Sequence, residues 1–224
     1  MSAETILITG ASRGIGAALA RRLAAPGRTL VLNYLRSEAE AKRVAAEVEE
    51  KGAKAVLVKA DVTEPADIET MFRDLEVDVL VLNAGAPPSY KRAHETPAEE
   101  FERQWRSQAY AAALCCRKAL PGMLKRKSGR VVFVLSSAVE GTPPAFMSAY
   151  VSAKYALLGL AKAVEAEAGP RGVKVSCALP RMTDTDFVKD FPRPIVDAAA
   201  EAQGGALDTP EAAAEAVAKL VEAR

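Results

Sequence analysis

Cysteine and histidine are scarce in this 224-residue chain, which contains three cysteines and one histidine. Cys115 and Cys116 are adjacent, and no CxxC pair accompanies His94. The sequence therefore indicates neither a disulfide framework nor a zinc site, and we expect no metal site. Thiols without a pairing pattern are typical of a reducing compartment, so we expect a cytoplasmic protein.

An excess of one charge and long apolar runs are also missing. The 30 Lys and Arg residues nearly balance the 29 Asp and Glu residues, which leaves no basic field to bind a nucleic-acid backbone. No uncharged apolar run approaches the roughly 18 residues of a membrane span. No charged-then-apolar leader precedes the first strand. We therefore expect a protein that binds neither nucleic acid nor membrane and is not secreted.

Short apolar strands alternating with amphipathic helices fill the chain instead. Strand-like runs lie at 5–9, 29–33, 55–59, 78–82, 131–135 and 173–178. Helical periodicity separates these runs, and one helix is expected from Thr96 to about Lys125. The alternation predicts an α/β fold, a three-layer Rossmann-type doubly wound parallel sheet, in a single domain over residues 1–224. The stretch at about 186–208 is expected to be a mobile substrate lid.

A glycine-rich turn joins the first strand to the first helix. It runs from Gly10 through Gly14 to Gly16 with G-x-x-x-G-x-G spacing. A turn that presses backbone N–H groups against a pyrophosphate at a helix N-terminus needs glycine, because side chains would block the approach. We interpret it as a dinucleotide phosphate site. The alternative is a tight strand-to-helix turn without a ligand.

The end of the second strand favours NADP(H) over NAD(H). An acidic residue there would bind the ribose 2′-hydroxyl, but the strand ends in Asn33 and Tyr34. Arg13 in the turn and Arg36-Ser37 beyond the strand offer guanidinium groups that can clamp a 2′-phosphate. The alternative is that both arginines are solvated surface cations.

Further motifs follow at consistent spacing. They are Asp61-Val62, Asn83-Ala84-Gly85, Ser137 and Tyr150-Val151-Ser152-Ala153-Lys154. Together with Thr9–Gly16 this ordered set resembles the classical short-chain dehydrogenase/reductase family over about residues 5–190. Within the family, the stretch from Asn33 to Val62 is most similar to the 3-oxoacyl-[acyl-carrier-protein] reductases.

The tyrosine and lysine suit carbonyl reduction. Lys154 lies four residues after Tyr150 on the same helix face, and its ammonium is expected to lower the Tyr150 pKa. Tyr150 is therefore the candidate proton donor to the alkoxide. The alternative is an ordinary amphipathic helix with a snorkelling lysine.

The resemblance implies roles for other residues. Lys154 would also hold the nicotinamide ribose, and Ser137 would hydrogen-bond the substrate carbonyl. Ser137 is preferred to Ser136 because its distance of thirteen positions from Tyr150 resembles the family's interval. Asp61 would bind the adenine amino group, or else cap a helix. The residues expected to contact the cofactor are Gly10, Ser12, Arg13, Gly14, Ile15, Gly16, Asn33, Arg36, Ser37, Asp61, Val62, Asn83, Ala84, Gly85, Tyr150, Lys154, Pro180, Thr183 and Thr185.

Three features depart from the family pattern. Gln108, a candidate catalytic residue, stands where the family has an asparagine that keeps a local helix distortion and a water beside the lysine. Arg181 replaces the glycine of Pro-Gly-x-x-x-Thr and is available to contact an anionic substrate. The sequence ends soon after its last helix, so we expect the sheet to lack the family's usual seventh strand.

These features predict an NADPH-dependent carbonyl reductase, with a 3-oxoacyl thioester reduced to the 3-hydroxyacyl form as the first substrate. An acidic acyl carrier protein would then meet basic residues near the mouth of the active site, unless these form a solvated loop. They are Lys125, Arg126, Lys127, Arg130 and Arg171. A reductase or dehydrogenase of a free small ketone or alcohol, and a catalytically weak NADP-binding regulatory partner, remain as alternatives. We expect a homodimer, through the helices at 109–124 and 149–168, or a homotetramer.

Overall fold

Six parallel strands form the centre of the molecule. The computed structural model describes residues 4–223, and its strands lie in the order β3-β2-β1-β4-β5-β6. They are β1 (Glu4–Ile8), β2 (Arg28–Tyr34), β3 (Lys54–Lys59), β4 (Val79–Leu82), β5 (Gly129–Val134) and β6 (Val173–Ala178). The chain winds outward from β1 in one direction and from β4 in the other, so the sheet is doubly wound as predicted.

Helices cover both faces of this sheet. They are α1 (Gly14–Leu23), α2 (Glu38–Glu50), α3 (Pro65–Met71), α4 (Ala98–Trp105), α5 (Ala111–Arg126), α6 (Ser148–Ala168), α7 (Arg193–Ala202) and α8 (Pro210–Glu222). One face packs against α1, α2 and α8, and the other packs against α3, α5 and α6. Among residues 4–223 no helix is both long and apolar enough to span a membrane.

The apolar strands explain the two cores. Ile6, Leu7 and Ile8 are all fully buried, since successive side chains of a strand point to opposite faces and both faces are covered. Leu7 joins the core with Phe133, whereas Ile6 and Ile8 join the core with Val132. Strands that are apolar without alternation therefore fit a sheet sandwiched between helices.

Two expected elements differ in detail. The helix predicted from Thr96 to Lys125 begins at Ala98, and a π-helical turn at Arg106–Tyr110 separates α4 from α5. The segment expected to be a lid, here defined as Asp186–Asp208, contains the ten-residue helix α7. Neither feature has a distinct periodicity in the sequence.

The basic residues expected to receive a carrier protein lie at the amino edge of the sheet. Arg126 is at the end of α5 and contacts Glu76, while Arg130 is the second residue of β5 and forms an ion pair with Glu4 at 3.0 Å. Arg171 precedes β6. The glycine turn and the other sequence motifs follow the carboxyl ends of the strands, which is the opposite edge. Within one chain, the structure therefore contradicts the expected position of this cluster near the mouth of the active site.

Candidate active site

A cleft of about 1130 Å³ runs along the carboxyl edge of the sheet. It is bounded by the glycine turn, the ends of the strands, the start of α6 and the lid. Every residue predicted to bind the cofactor or to act in catalysis lines this cleft, except Gly16 and Gln108. Motifs that are far apart in the sequence are thus brought together where open α/β sheets bind their ligands.

The glycine turn allows a ligand phosphate to approach its backbone closely. Gly10 and Gly14 have φ angles of +66° and +53°, which side-chain-bearing residues rarely adopt. A Cβ on Gly16 would lie 2.4 Å from the carbonyl oxygen of Gly10 and 2.6 Å from Nδ2 of Asn83. The turn leads into the N-terminus of α1, where free N–H groups and the helix dipole favour an anion. These residues fit a pyrophosphate.

Two asparagines expected to contact the cofactor hold the turn in place with their side chains. Asn33 Oδ1 accepts from the N–H of Gly10 at 3.2 Å, and its Nδ2 donates to the carbonyl of Ala60 at 3.0 Å. Asn83 Nδ2 donates to the carbonyl oxygens of Thr9 and Gly10 at 2.9 and 3.2 Å. The two amides therefore shape the turn, and both residues also line the cleft.

Thr9 also supports the turn, although no separate role is predicted for it from the sequence. Its Oγ1 accepts from the N–H groups of Asn83 and Ala84 at 2.9 and 3.0 Å, so it joins β1 to the loop after β4.

Asp61 Oδ1 accepts from the N–H and the hydroxyl of Thr63 at 2.9 and 2.8 Å. One carboxylate oxygen of Asp61 is thus used within the turn before α3, whose N-cap residue is Glu64, so Asp61 is not a helix cap.

The two arginines expected to read the 2′-phosphate both line the cleft. Arg13 lies at the N-terminus of α1 and forms an ion pair with Asp186 of the lid at 3.0 Å. Arg36 is exposed just after β2 and takes part in none of the ion pairs found among residues 4–223. The end of β2 therefore presents a free cation and no carboxylate.

Tyr150 and Lys154 lie together on the first turns of α6, and both are buried. Lys154 Nζ donates to the carbonyl oxygen of Val134 at 3.0 Å and lies 5.6 Å from the centroid of the Tyr150 ring. This bond ties α6 to the carboxyl end of β5. It holds the ammonium beside the phenol at the inner end of the cleft.

Burial dominates the electrostatics of this pair. It raises the pKa of Tyr150 to about 12, although a hydrogen bond with Ser136 acts in the opposite direction. Burial also lowers the pKa of Lys154 to about 7. The expected lowering of the Tyr150 pKa by the ammonium is therefore not found, because removal from water penalises both charged forms.

Ser136, and not Ser137, contacts the phenol of Tyr150. The Ser136 side chain hydrogen-bonds Tyr150, and its Oγ accepts from the N–H of Ala138 at 3.2 Å. Ser137 begins the following 3₁₀ turn and also lines the cleft. Ser137 therefore stays a prediction as the donor to the substrate carbonyl, and Ser136 is a second candidate that counting back from Tyr150 did not identify.

Gln108 lies in the π-helical turn, so a helix distortion is present where the resemblance implies one. Its Nε2 donates to Oε1 of Gln104 at 2.8 Å, and its own Oε1 is buried without a partner among residues 4–223. Gln108 does not line the cleft and packs beneath Gly85, at 3.6 Å from the position that a Cβ there would take.

Arg181 is occupied by a carboxylate of the chain itself. Its Nε and Nη2 donate to the two oxygens of Asp208 at 3.0 and 2.6 Å. This paired contact closes the base of the lid, and a contact between Arg181 and an anionic substrate stays a prediction.

The lid brings apolar side chains over the tyrosine. The ring of Phe187 lies edge-on to that of Tyr150, with centroids 6.0 Å apart. Val188 and Phe191 are buried in the same small cluster, together with Met147 from the loop before α6. No pattern in the sequence predicts these residues, since a loop has no periodicity that identifies its inward side chains.

Known proteins resemble the chain in sequence and in structure. The sequence profile of the short chain dehydrogenase family matches residues 4–194. An NADPH-dependent aldehyde reductase-like chloroplastic protein of Arabidopsis thaliana is 30% identical over 87% of this chain and 77% of its own length. A 3-oxoacyl-[acyl-carrier-protein] reductase of Synechocystis is 32% identical over 85% of this chain and 78% of its own.

A solved structure of levodione reductase superimposes with a TM-score of 0.90. It is 26% identical and covers 99% of this chain and 92% of its own. The family profile covers most of the chain, and the ordered motifs converge on one cleft. The chain belongs to the short-chain dehydrogenase/reductase family, and it is an oxidoreductase of the kind that uses a nicotinamide cofactor.

Proposed function

We propose that the protein is an NADPH-dependent carbonyl reductase with Tyr150 as its proton donor. One observation carries this proposal: Ser136, Tyr150 and Lys154 lie together in a cleft that Arg13 and Arg36 also line. The candidate proton donor and the arginines that could bind the 2′-phosphate of NADPH thus line one cavity. The named NADPH dependence of the Arabidopsis relative supports the choice of cofactor.

Each of Ser136, Tyr150 and Lys154 has a separate role in the proposed reduction. NADPH, held by the glycine turn and Arg13, would supply a hydride for the carbonyl carbon, and the carbonyl oxygen would receive the electron pair of the C=O π bond. The Ser136 hydroxyl donates a hydrogen bond to that oxygen as its negative charge develops. Tyr150 transfers its phenolic proton to the oxygen, which yields the alcohol and a phenolate. The Lys154 ammonium stabilises the phenolate until a proton returns from solvent.

The protonation states suit reduction. A Tyr150 pKa of about 12 keeps the phenol protonated, and ready to donate, at neutral pH. A Lys154 pKa near 7 leaves a substantial share of the lysine as ammonium there. Both groups therefore favour carbonyl reduction at or below neutral pH over alcohol oxidation, which requires the phenolate.

A 3-oxoacyl thioester remains the first substrate that we propose, and a free ketone is the second. The named activity of the Synechocystis relative supports the thioester. Two observations favour the free ketone: Phe187 and Phe191 make the lid apolar, and Arg181 is held by Asp208. The basic cluster expected to receive a carrier protein lies at the other edge of the sheet, so carrier docking has no support within one chain.

The first experiment follows NADPH oxidation by the purified protein with a short 3-oxoacyl thioester and, separately, with a panel of free ketones. NADH is run in parallel, and Tyr150→Phe is the matched variant because it removes one hydroxyl. We expect NADPH-preferring turnover that falls by about 10²-fold or more in the variant. NADPH binding is retained. Turnover that survives in Tyr150→Phe would contradict the assignment of the proton donor.

The panel also decides between the substrates. Activity on the thioester alone supports the first candidate, and activity on cyclic or aromatic ketones supports the second. NADPH binding without turnover on any carbonyl would overturn the reductase proposal. The alternative function, a catalytically weak NADP-binding regulatory partner, would then be favoured.

A further inference from the structure

Three segments of the chain meet at Tyr90, which does not line the cleft. Its ring centroid lies 5.0 Å from that of Phe146 in the loop before α6 and 6.2 Å from that of Phe191 in the lid. Tyr90 itself belongs to the loop that follows β4. Aromatic pairs at these distances attract each other beyond the burial of their area. The three rings therefore connect the lid to the loop after β4 and to the loop before α6.

The loop after β4 is held in turn by α4. The carbonyl oxygen of Pro87 accepts from Arg103 Nη2 at 2.7 Å and from Gln104 Nε2 at 3.0 Å. The N–H of Ser89 donates to Glu100 Oε1 at 3.1 Å. Glu100 is buried, and Arg103 donates to both of its oxygens at 2.7 and 2.8 Å. A buried polar network that is satisfied in this way is rigid, so the loop has a fixed position on the helix.

Phe146 has an unusual backbone conformation. Its φ angle is +63°, which a residue with a bulky side chain rarely adopts. Its carbonyl oxygen accepts from the N–H of Lys91 at 2.8 Å, and Lys91 forms a parallel β-bridge with Met147. A strained conformation persists only where the surrounding contacts hold it. The bridge and the ring of Tyr90 are such contacts, so the loop after β4 also fixes the loop before α6.

Ion pairs attach the two ends of the lid. They join Arg13 to Asp186 and Arg181 to Asp208. The two arginine side chains are 55% and 51% exposed, so water weakens both pairs. Phe191 lies between these ends and is buried. Its apolar contacts exclude water and hold the intervening part of the lid.

The residues that Tyr90 holds are themselves walls of the cleft. Phe191 and Met147 both line it, although Tyr90 does not. Phe187, four positions before Phe191, lies edge-on to the ring of Tyr150 with centroids 6.0 Å apart. A displacement of Phe191 would therefore change the space beside the candidate proton donor.

We propose that Tyr90 is a positioning residue that determines substrate size. Held by α4 through its loop, it keeps Phe191 against the cleft and limits the group beside the substrate carbonyl to a compact apolar one. Phe187, Phe191 and Met147 supply the apolar surface that this group contacts. The inference rests on the proposed carbonyl reduction and names the feature that selects among its substrates.

The first test measures the attachment of the lid without any turnover. Trypsin cleaves after lysine and arginine but not before proline, so within the lid it cleaves Lys189–Asp190 and not Arg193–Pro194. Cleavage requires local opening of the lid. In Tyr90→Leu, which removes the ring, we expect this bond to be cut about five- to tenfold faster. Tyr90→Phe keeps the ring and is the matched control, and it should be cut at the wild-type rate. Mass spectrometry of the fragments identifies the bond.

A double-variant cycle tests the route from Tyr90 to the lid. If Tyr90 acts through Phe191, then Tyr90→Leu adds little to the increase caused by Phe191→Leu. Glu100→Gln weakens the hold of α4 on the loop and leaves all the rings in place. It should increase cleavage in the same direction but less, which keeps the test valid if Tyr90→Leu fails to fold.

Substrate selectivity supplies the second readout. Values of kcat/KM are measured for a compact and a bulky member of the substrate class that the first assay identifies, such as cyclohexanone and decalone among the ketones. In Tyr90→Leu we expect the ratio of bulky to compact kcat/KM to rise by about tenfold. The Kd for NADPH should be unchanged, since Tyr90 does not line the cleft. General loosening of the protein would lower both values together and leave the ratio constant.

Three results would overturn the proposal. An unchanged rate of cleavage in both Tyr90→Leu and Glu100→Gln would show that the loop after β4 does not hold the lid. Effects that add in the double variant would show that Tyr90 does not act through Phe191. A constant selectivity ratio would show that Tyr90 does not determine substrate size. The trypsin readout needs no turnover, so a protein without reductase activity would refute the proposed function while the attachment of the lid by Tyr90 is still measured.

Discussion

Arg13 in the glycine turn and Asp186 in the lid form an ion pair of 3.0 Å across the mouth of the cleft. Both side chains are more than half exposed, at 55% and 62%, so the pair contributes little to stability. The same guanidinium is our candidate for binding the 2′-phosphate. Asp186 and the phosphate therefore compete for Arg13, and the attachment of the lid is coupled to the nature of the cofactor.

Asp186→Asn is expected to tighten NADPH binding by about two- to fivefold, because it removes a weak competing anion from Arg13. NADH binding should not change, since NADH has no 2′-phosphate. Fluorescence titration of both cofactors at low and high salt measures the effect, which should shrink as salt screens the pair. An equal gain for both cofactors would indicate that the lid opens more easily, and would contradict competition for Arg13.

Ser136→Ala and Ser137→Ala form a matched pair of variants for the carbonyl donor. We expect Ser136→Ala to lower kcat by about 10²- to 10³-fold, because a donor to the developing oxyanion is lost. Ser137→Ala should lower it far less. Steady-state kinetics with the substrate found in the first assay decide between them. A larger loss of kcat in Ser137→Ala would indicate that Ser137, the serine predicted from the sequence, is the donor to the carbonyl.

The fold could be predicted from the sequence because the strands are short, apolar and separated by periodic helices. β6 has the bounds that its pattern predicted, and the other strands differ by a residue or two. The π-helical turn was not predictable from periodicity, since Arg106–Tyr110 fits the helical pattern on either side of it. A single inserted helical residue leaves almost no trace in the spacing of apolar positions.

The parts of the site whose geometry follows from local sequence spacing could be predicted. The parts whose geometry depends on the assembled fold could not. The glycine turn and the Tyr150–Lys154 pair depend on local spacing, which the sequence contains. The choice between Ser136 and Ser137 depends on which side chain points from the end of β5 toward α6, and counting back from Tyr150 crosses an irregular loop that does not preserve this direction. The raised pKa of Tyr150 depends on burial, which only the assembled fold determines.

The paired contact between Arg181 and Asp208 is expected to hold the lid for the carbonyl substrate. Arg181→Met breaks both hydrogen bonds and leaves the Asp208 carboxylate unpaired at the base of the lid. We expect KM for the carbonyl to rise by about threefold to tenfold, with the NADPH Kd nearly unchanged. Asp208→Asn, which keeps one acceptor, should show a smaller effect. A rise in KM confined to carboxylate-bearing substrates would instead indicate that Arg181 binds the substrate.

Lys154 is expected to make the stability of the protein depend on pH. Its pKa is lowered from 10.5 to about 7 by burial. Between these values the unfolded chain binds a proton that the folded chain does not, so the unfolding free energy contributed by this residue rises with pH. Below about pH 7 the folded protein bears the full cost of a buried ammonium. Lys154→Met removes this cost.

The variant should therefore be more stable than the wild type at about pH 6, by about 1 to 2 kcal/mol, and the difference should shrink toward about pH 10. Urea denaturation across this range measures it, and comparison with the wild type cancels every other titrating group. Lys162→Met is the control, because it removes an exposed lysine from the same helix and no buried ammonium. A difference for Lys154→Met that does not vary with pH would mean that the folded protein keeps the ammonium charged, and that buried acceptors such as the Val134 carbonyl fully offset its loss of hydration.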